Sequence, residues 1–250
     1  MNITVNPKYD VLKSFVEKLP SDFNHSGDLI YDKRNKVREF VVDGMRLVVK
    51  RYKVPMFFQR VAYSFFRPSK AKRAYLFALR LQTLQIATPE PIAYIEQKRC
   101  GLFRQGYFIS TYTDHQSLKE HRDQLLSDPL LFDAYVGFLI EMHEKGFMHG
   151  DQNLTNILFW KEGDEFKFEV IDINRSHFIA NPTRDDCLKN LMRISRRREL
   201  SSQIVARYAE LRGWDKAWSV DYVNREIDKY ERKRKMRKFY KKLFVWKKPN

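Results

Sequence analysis

The sequence predicts an α+β fold with two lobes, the first small and β-rich and the second mainly helical. Three observations support this prediction: β-rich runs surround Asp43-Gly44, apolar residues recur at helical spacing over residues 132–143, and no low-complexity linker divides the chain. A chain of 250 residues with 43% hydrophobic and 14% aromatic residues can bury one substantial core. We therefore predict a single domain, with lobes at residues 1–113 and 114–250 and a basic C-terminal tail at residues 226–250.

The first predicted element is a β-hairpin in the first lobe. Asp43-Gly44 is a two-residue turn signal, and Lys50 ends the strand that follows it. A lysine at a strand end is usually a solvated edge residue. Lys50 is also interpreted as a contact for the phosphates of ATP, because a polar loop and an aspartate follow it in the order found in kinases. Residues 110–114, after a further strand at 106–109, are the predicted hinge between the lobes.

The central element is a helix followed by a polar loop. The helical pattern over residues 132–143 ends with Lys145-Gly146, a basic last turn and a glycine cap. Residues 149–156 then have the H-x-D-x-x-x-x-N order of a kinase catalytic loop. Three roles are predicted for this loop: Asp151 accepts a proton from an attacking hydroxyl, Asn156 holds a metal, and His149 braces the loop rather than acting as a second base.

A second hairpin leads to a further aspartate. Residues 157–160 and 166–171 are predicted as two short strands around a turn at Gly163-Asp164, and the second strand ends at Asp172. This is the position of the second metal-binding aspartate in kinases, although the glycine of Asp-Phe-Gly is absent. An aspartate after a strand is often only a turn residue. Because Asp172 occurs together with the loop at residues 149–156, metal binding is favoured over a turn role.

Three segments, at residues 149–156, 170–175 and 87–93, together resemble the lipopolysaccharide kinase family, which contains Kdo kinases and core heptose kinases. The resemblance covers about residues 29–186. It implies a protein-kinase-like fold and the transfer of phosphate from ATP to sugar hydroxyls of the lipopolysaccharide inner core. It also implies the roles of four residues: the base is Asp151, the magnesium ligands are Asn156 and Asp172, and the ATP-phosphate contact is Lys50.

The expected glutamate partner of Lys50 is missing. Kinases pair the strand lysine with a glutamate on the next helix, which we expect here near Leu76 or Phe77. Residues 51–89 contain no Asp or Glu at all. Lys50 is then expected to act as a bare point charge whose position is less well fixed.

The loop that would cover the phosphates also departs from the pattern. Residues 31–36 contain no glycine, whereas protein kinases use glycines to bring backbone N–H groups close to the phosphates. In one interpretation Lys33, Arg34 and Lys36 substitute by charge, and in the other the loop is an ordinary basic hairpin tip. The segment after Asp172 is short and has no Ala-Pro-Glu, which favours a glycan or another small hydroxyl acceptor over a peptide.

The charge of the chain favours polyanionic partners. There are 47 Lys+Arg residues against 31 Asp+Glu, a net charge of +16. Residues 232–248 mix basic and apolar side chains, and each basic residue near an anionic bilayer contributes about 1 kcal/mol. This tail is predicted to bind a membrane surface, with RNA binding or a solvated helix that caps the second lobe as alternatives.

A second candidate patch combines phenylalanines with basic residues: Phe57, Phe58, Phe65 and Phe66 with Arg60, Arg67 and Lys70. Aromatic residues at mixed spacing are more often buried than exposed. We therefore expect at least half of these phenylalanines in the core.

Cellular location is inferred from what the sequence lacks. Cys100 and Cys187 lie far apart without metal-ligand companions, so they are predicted to be reduced thiols with no disulfide partner. The first residues do not have the pattern of a signal peptide, and no apolar run approaches the ~20 residues that span a bilayer. We expect a cytoplasmic protein, peripheral on the inner face of the inner membrane.

The predicted function is phosphorylation of a Kdo or heptose hydroxyl, with ATP and Mg²⁺ as cofactors and a core glycolipid as substrate. One alternative is a pseudokinase that acts as a membrane scaffold, because the helix glutamate and the loop glycines are missing. The other is an atypical RNA-associated protein with a kinase-like fold, suggested by the basic run at residues 195–198 and by the tail.

Overall fold

The computed structural model of the protein describes the backbone of residues 1–245 and the side chains of residues 1–240. The chain forms two compact units, one from Met1–Gln116 with Glu169–Ser176 and the other from Ser117–Phe168 with His177–Asn250. The first unit contains a large β-sheet and the second is mainly helical, so the predicted α+β fold class is confirmed. The prediction had one boundary near residue 113, and it did not include the return of Glu169–Ser176 to the first unit.

The first unit contains, in chain order, β1 (Asn2–Val5), α1 (Lys13–Asp22), β2 (Asp28–Asp32), β3 (Lys36–Val42), β4 (Met45–Arg51), α2 (Phe57–Phe65), α3 (Lys70–Thr83), β5 (Pro91–Arg99) and β6 (Leu102–Thr111). The six strands form one sheet in the order β1-β5-β6-β4-β3-β2, and the neighbouring strands pair antiparallel. α1 places Val16, Leu19 and Phe23 on one face at helical spacing. This face covers the sheet core that includes Leu47 and Ile109.

The predicted hairpin at Asp43-Gly44 is confirmed, and it fixes the place of Lys50. Asp43 and Gly44 both have positive φ, 50° and 77°, as a two-residue turn between right-twisted strands requires. Lys50 pairs with Val37 on one side and with Phe108 on the other, so its strand is central in the sheet. The interpretation of Lys50 as a solvated edge residue is therefore wrong, because β4 has no open edge at this position and the Lys50 side chain is only 17% exposed.

α3 lies against the sheet through small and aromatic side chains. Ser69 begins the helix, and its buried hydroxyl accepts a hydrogen bond from Lys72 N at 3.2 Å. Ala71 approaches Gly106 of β6 so closely that a Cβ on that glycine would lie 3.2 Å from the alanine Cβ. α3 also contacts the short 3₁₀ turn Ile173–Arg175 of the same unit. The basic residues at the start of α3 are therefore held at a fixed distance from the sheet.

The second unit contains β7 (Gln116–Ser117), α4 (Arg122–Ser127), α5 (Pro129–Glu144), β8 (Phe147–Met148), β9 (Ile157–Glu162), β10 (Glu165–Val170), β11 (His177–Phe178), α6 (Arg184–Leu191), α7 (Arg198–Leu211) and α8 (Lys216–Val245). The chain returns to the first unit within β10. The strands form two small sheets, with the orders β10-β9-β7 and β11-β8. The predicted second hairpin is β9 and β10, with Gly163 at a φ of 60° in its turn.

The helix predicted before the polar loop is α5, and the local sequence explains both of its ends. Asp128 begins the helix, because its carboxylate accepts hydrogen bonds from Leu130 N and Leu131 N. Gly146 follows the helix at a φ of 75°, and a Cβ at this position would lie 2.2 Å from the carbonyl oxygen of Ile179. Only glycine fits this position, and the tight turn directs the chain into β8 and the loop.

The predicted basic tail begins within α8. Every residue from 231 to 240 is exposed, including the basic side chains Arg232, Lys233, Arg234, Lys235, Arg237 and Lys238. Residues 246–250, which the tail prediction also included, lie outside the described part of the chain. No helix within residues 1–245 combines the length and apolar character that are needed to cross a bilayer.

Candidate active site

The loop at residues 149–156 lies between β8 and β9 in the second unit and is fixed through its backbone. The His149 ring is buried, and its Nδ1 accepts a hydrogen bond from the backbone N–H of Asp151 at 3.1 Å. The carbonyl oxygen of His149 accepts another from Asn190 Nδ2 at 3.0 Å. These bonds connect the His149 ring to the loop and its backbone to Asn190, and the bracing role of His149 stays a prediction.

Asn156 is fixed to the same loop. Its Nδ2 donates to the backbone oxygen of Asp151 at 2.9 Å, and Asn153 Nδ2 donates to the same oxygen at 3.0 Å. The Asn156 side chain is buried, with 8% of its surface exposed. Because its nitrogen is engaged, Oδ1 is the atom that Asn156 can offer to a cation. The loop fold therefore sets Asn156 relative to Asp151.

Arg193 contacts the candidate base, and the sequence analysis did not identify this residue. Arg193 follows α6, and its Nη2 lies 3.0 Å from Asp151 Oδ1, while Nη1 donates to the carbonyl oxygen of Gly150 at 3.4 Å. Its guanidinium also lies 5.3 Å from the ring centre of Tyr230. Both charged side chains are half-buried, so the pair is only partly screened. The basic run at residues 195–198 was the sequence signal beside it, but that run was interpreted as RNA-binding.

A buried hydrogen-bond network connects the loop to α5, α6 and α7. His143 lies between Tyr208 and Asn190, with Nδ1 2.9 Å from the Tyr208 hydroxyl and Nε2 3.1 Å from Asn190 Oδ1. Asn190 then bonds to the His149 carbonyl. Burial lowers the pKa of His143 from 6.5 to about 4, so this imidazole is neutral at pH 7. A neutral ring can donate from one nitrogen and accept at the other, which is what its two partners require.

The second group of candidate residues lies in the first unit, around Asp172. Asp172 Oδ1 is 2.6 Å from Lys50 Nζ and accepts a hydrogen bond from Asn174 Nδ2 at 2.5 Å. Asp172 is in the left-handed region, with φ 56° and ψ 42°, which is rare for a residue with a side chain. Such backbone strain is concentrated at functional sites.

The approach to Asp172 is fixed by contacts within the same unit. Val170 N donates to the carbonyl oxygen of Ala87 at 2.9 Å, and Thr88 Oγ1 donates to the carbonyl oxygen of Val170 at 2.8 Å. Residues 87–93 and 170–175 were two of the segments on which the family resemblance depended, and these bonds join them. Asp172 therefore follows a segment whose register is set.

Lys50 pairs with the carboxylate of Asp172 instead of with a helix glutamate. Leu76 and Phe77, the positions where a glutamate was expected, lie on α3, which has no acidic residue. Glu39, a carboxylate on the neighbouring strand β3, pairs with Arg46 at 2.6 Å. The direct bond to Asp172 fixes the ammonium group of Lys50 in the position that the sequence left undetermined.

α3 contributes two basic side chains, Lys70 and Arg73, and no carboxylate. Burial lowers the pKa of Lys70, and the neighbouring charges of Arg34, Arg175 and Arg73 lower it further. Burial also lowers the pKa of Arg73, whose Nε is buried without a hydrogen-bond partner among the described residues. Burial is the larger cause of both lowered pKa values, and the nearby positive charges add to it; a bound polyanion would offset this second effect. We refer to Arg34, Lys50, Lys70, Arg73 and Arg175 as the basic cluster.

The two candidate residues of the β2–β3 loop have different surroundings. Arg34 is close enough to lower the pKa of Lys70, so it belongs to the basic cluster. The ammonium group of Lys33 lies 5.9 Å from the ring centre of Tyr31. Lys36 of the same loop is paired with Asp32 at 2.8 Å, which is the arrangement of an ordinary hairpin tip. Of the two residues, Arg34 is thus the better placed to bind phosphate.

The predicted site residues are therefore distributed between the units. Lys50, Asp172 and Arg34 lie in the first unit, and His149, Asp151 and Asn156 lie in the second. Within residues 1–245 no group of three or more His, Cys, Asp and Glu side chains is arranged to hold a metal. Mg²⁺ in kinases is bound by one or two protein oxygens together with substrate phosphates, and the Asp172 carboxylate in the first unit is of this chemical type. The basic cluster, with the unpaired Arg73 Nε, fits a polyphosphate.

Comparisons with known proteins give the family and the fold of the chain. The family model described as "Lipopolysaccharide kinase (Kdo/WaaP) family" matches residues 38–213, more than half of the chain. A solved structure, "WaaP in complex with acyl carrier protein", is similar with a TM-score of 0.60 and 17% sequence identity, over 92% of this chain and 99% of that chain. At this identity the similarity shows the fold, and it confirms the predicted kinase-like fold. No curated protein matches the chain.

Proposed function

Because the chain belongs to the lipopolysaccharide kinase (Kdo/WaaP) family and is an ATP-dependent phosphotransferase, we propose that it phosphorylates a Kdo or heptose hydroxyl of the lipopolysaccharide inner core. The observation that carries the proposal is the bond between Lys50 and the strained Asp172 inside the basic cluster. This arrangement suits the phosphates of a nucleotide and a metal that is bound to them. The acceptor is the finer part of the proposal, and it rests on the family.

In the proposed reaction the basic cluster binds the ATP phosphates. Lys50 is a point charge fixed by Asp172, and Arg73 offers an unpaired N–H group. Asp172 and Asn156 would hold Mg²⁺, which neutralises negative charge on the phosphates when it is bound. Asn174 Nδ2 donates to Asp172 Oδ1 and so helps to hold the carboxylate in place.

Asp151 is the proposed base. It accepts the proton of the acceptor hydroxyl while the hydroxyl oxygen attacks the γ-phosphorus, and ADP leaves with the electrons of the broken P–O bond. Arg193 holds the Asp151 carboxylate at 3.0 Å and so fixes the direction from which the proton arrives. Arg196 and Arg197, which are exposed in the same segment, suit an acceptor that itself carries negative charge.

The place of action and a protein partner are also part of the proposal. A core glycolipid is anchored in a membrane, and the net charge of +16 favours an anionic surface, so we place the enzyme peripherally on the cytoplasmic face. The similar solved structure is a complex with acyl carrier protein. We therefore include a carrier protein as a candidate partner of this chain.

The proposal is tested by phosphate transfer to water-soluble core oligosaccharides. Wild-type protein, labelled ATP and Mg²⁺ are incubated with deacylated oligosaccharides that end in Kdo or in heptose, and the labelled sugar is identified. Asp151→Asn should lower the rate by about 10²–10⁴-fold, the range for loss of a general base. Asp164→Asn, the same change at an exposed turn residue, is the matched control and should retain the wild-type rate.

Two results count against the proposal. If neither oligosaccharide is labelled while ATP still stabilises the protein, the acceptor assignment is wrong. If Asp151→Asn and Asp164→Asn have the same rate, Asp151 is not the base.

RNA added as a competitor tests the RNA-associated alternative. It should not lower the rate of phosphate transfer to either oligosaccharide beyond the effect of its ionic strength. An RNA-associated function predicts instead that RNA displaces the substrates from the basic surface.

A further inference from the structure

The helix α2 presents its apolar face to solvent and is anchored through its other face. Arg60 Nε donates to the carbonyl oxygen of Phe103 at 2.8 Å, and Phe103 N donates to Ser64 Oγ at 2.7 Å. Tyr63 is buried, with its ring 5.5 Å from the ring of Phe103. These contacts fix the helix on β6. A surface helix normally does the opposite and covers the core with its apolar side.

The outward face of α2 is an unusually large group of exposed apolar side chains. The exposed fractions are 74% for Met56, 59% for Phe57, 85% for Phe58, 69% for Phe65 and 81% for Phe66. The expectation that at least half of these phenylalanines lie in the core is therefore wrong, because the hydrogen bonds to Phe103 select the polar side of the helix for packing. Single exposed apolar residues are ordinary, but two pairs of exposed phenylalanines on one short helix indicate an interaction surface. We name these five residues the α2 surface.

The residues around the α2 surface are basic and contain no acid. Lys53, Arg67 and Lys70 flank the helix, and no Asp or Glu occurs between residues 51 and 89. Arg67 lies 4.8 Å from the ring centre of Tyr63, which holds it next to the helix. The partner of this surface is therefore apolar where it meets the phenylalanines and anionic around them.

The shape of the α2 surface favours a flat partner. The phenylalanines lie at both ends of a nine-residue helix, about 12 Å apart at a rise of about 1.5 Å per residue. A helix that lies in the plane of a bilayer interface inserts its apolar face and keeps basic side chains at the headgroups. The rim offers only cationic side chains along this stretch of sequence, which suits the uniformly anionic headgroups of such a bilayer.

We propose that α2 is a membrane-docking helix, which inserts Phe57, Phe58, Phe65 and Phe66 into an anionic lipid surface while Lys53 and Arg67 bind the headgroups. This inference deepens the proposed function and rests on its peripheral membrane location, because it assigns the surface that binds lipid; docking itself needs neither ATP nor an acceptor sugar. It differs from the tail hypothesis, because the tail belongs to α8 in the other unit.

The test is vesicle co-sedimentation of the full chain. The vesicles contain either phosphatidylcholine with 30% phosphatidylglycerol or phosphatidylcholine alone, in a salt series. Phe58→Ser with Phe66→Ser removes the two most exposed phenylalanines and should lower the partition coefficient at least tenfold on anionic vesicles. The matched control is Val41→Ser with Leu130→Ser, two other apolar residues that are 69% and 74% exposed, and it should bind as the wild type does.

Charge and insertion are separated by a second variant. Lys53→Gln with Arg67→Gln should weaken binding to anionic vesicles at low salt and leave binding to neutral vesicles unchanged. If the double serine variant partitions like the wild type, the tail or another surface holds the protein and the proposal is overturned. It is also overturned if the serine changes abolish self-association in sedimentation equilibrium, or binding of purified acyl carrier protein, without changing vesicle binding.

Docking and catalysis can fail independently. Transfer to a deacylated, water-soluble oligosaccharide should be unchanged in the double serine variant, because the α2 surface contributes no residue to the basic cluster or the loop. If the protein binds vesicles through α2 but transfers no phosphate, the proposed function is wrong and the docking inference stands. If the protein transfers phosphate but does not need α2 for vesicle binding, the docking inference is wrong and the proposed function stands.

Discussion

The substitution Asp172→Asn tests the metal assignment with little disturbance of the backbone. Asparagine tolerates the left-handed conformation that Asp172 adopts at φ 56°, so the change removes a charge rather than a turn. It also leaves Lys50 without its carboxylate, inside a cluster that contains four other basic side chains. Binding of ATP alone and binding of ATP with Mg²⁺ are therefore expected to change in different directions.

The magnitudes follow from the contacts of Asp172. A hydrogen bond to a charged group contributes about 1.5–3 kcal/mol, and partial exposure of the pair, 17% for Lys50 and 36% for Asp172, reduces this to about 1–2 kcal/mol. For a chain of this length the midpoint of thermal unfolding should fall by about 2–8 °C. Loss of one negative charge beside the phosphates should leave ATP binding without metal unchanged or up to about fivefold tighter, from about 1 kcal/mol of charge interaction.

The effect on catalysis should be much larger than the effect on stability. Removal of one group that stabilises transition-state charge typically lowers kcat by about 10²–10³-fold. In wild type, Mg²⁺ should add to the stabilisation that ATP gives, up to about 2.7 kcal/mol when the ligand is at 100 times its dissociation constant. In Asp172→Asn this Mg²⁺-dependent increment should be lost.

The measurement is a thermal shift series with ATP, with and without Mg²⁺, beside the rate of phosphate transfer. Asp32→Asn is the matched control, because it removes a carboxylate from an exposed ion pair with Lys36 in the same unit. The reasoning is refuted if Asp172→Asn keeps the Mg²⁺-dependent shift and a rate within tenfold of wild type. Asp172 would then be a strained turn residue that anchors Lys50.

Two further predictions concern the second unit. Arg193→Ala should lower kcat by about 10–100-fold and leave the KM for ATP unchanged, because the Asp151 carboxylate loses the guanidinium at 3.0 Å. Steady-state kinetics check this prediction, and Arg193→Lys should recover part of the rate. A variant that loses thermal stability but keeps the wild-type kcat would contradict the positioning role. His143 should make stability depend on pH, because burial lowers its pKa to about 4 while the unfolded chain titrates near 6.5. Its contribution is complete above pH 6.5 and decreases as the pH falls toward 4, by up to about 3 kcal/mol. Urea unfolding at pH 7.5 and pH 5 measures this change in the free energy of unfolding. His143→Gln should reduce the difference between the two pH values, and an equal difference in the variant would assign the pH dependence to other groups.

The hairpins, the central helix and the order of the motifs were predictable because their signals are local. Asp43-Gly44 specifies a turn by its own φ preferences, and Gly146 ends α5 for the same reason. The spacing of Asp151 and Asn156 determines a bond within one loop, and the structure has that bond at 2.9 Å. The outward orientation of α2 was not predictable, since hydropathy suggests that its phenylalanines are buried and only the contacts to Phe103 reverse this.

The sequence by itself determined the fold class, the candidate loop and the residue types of the chemistry, because turn propensity, helical periodicity and motif spacing act over a few residues. Only the tertiary structure decided which charges meet. It paired Lys50 with Asp172 across 122 positions, placed Arg193 on Asp151, and brought Lys70 and Arg73 near Arg175. The physical reason is that an ion pair depends on a distance of a few ångströms in space, and side chains far apart in sequence reach that distance only when the sheet and helices have packed.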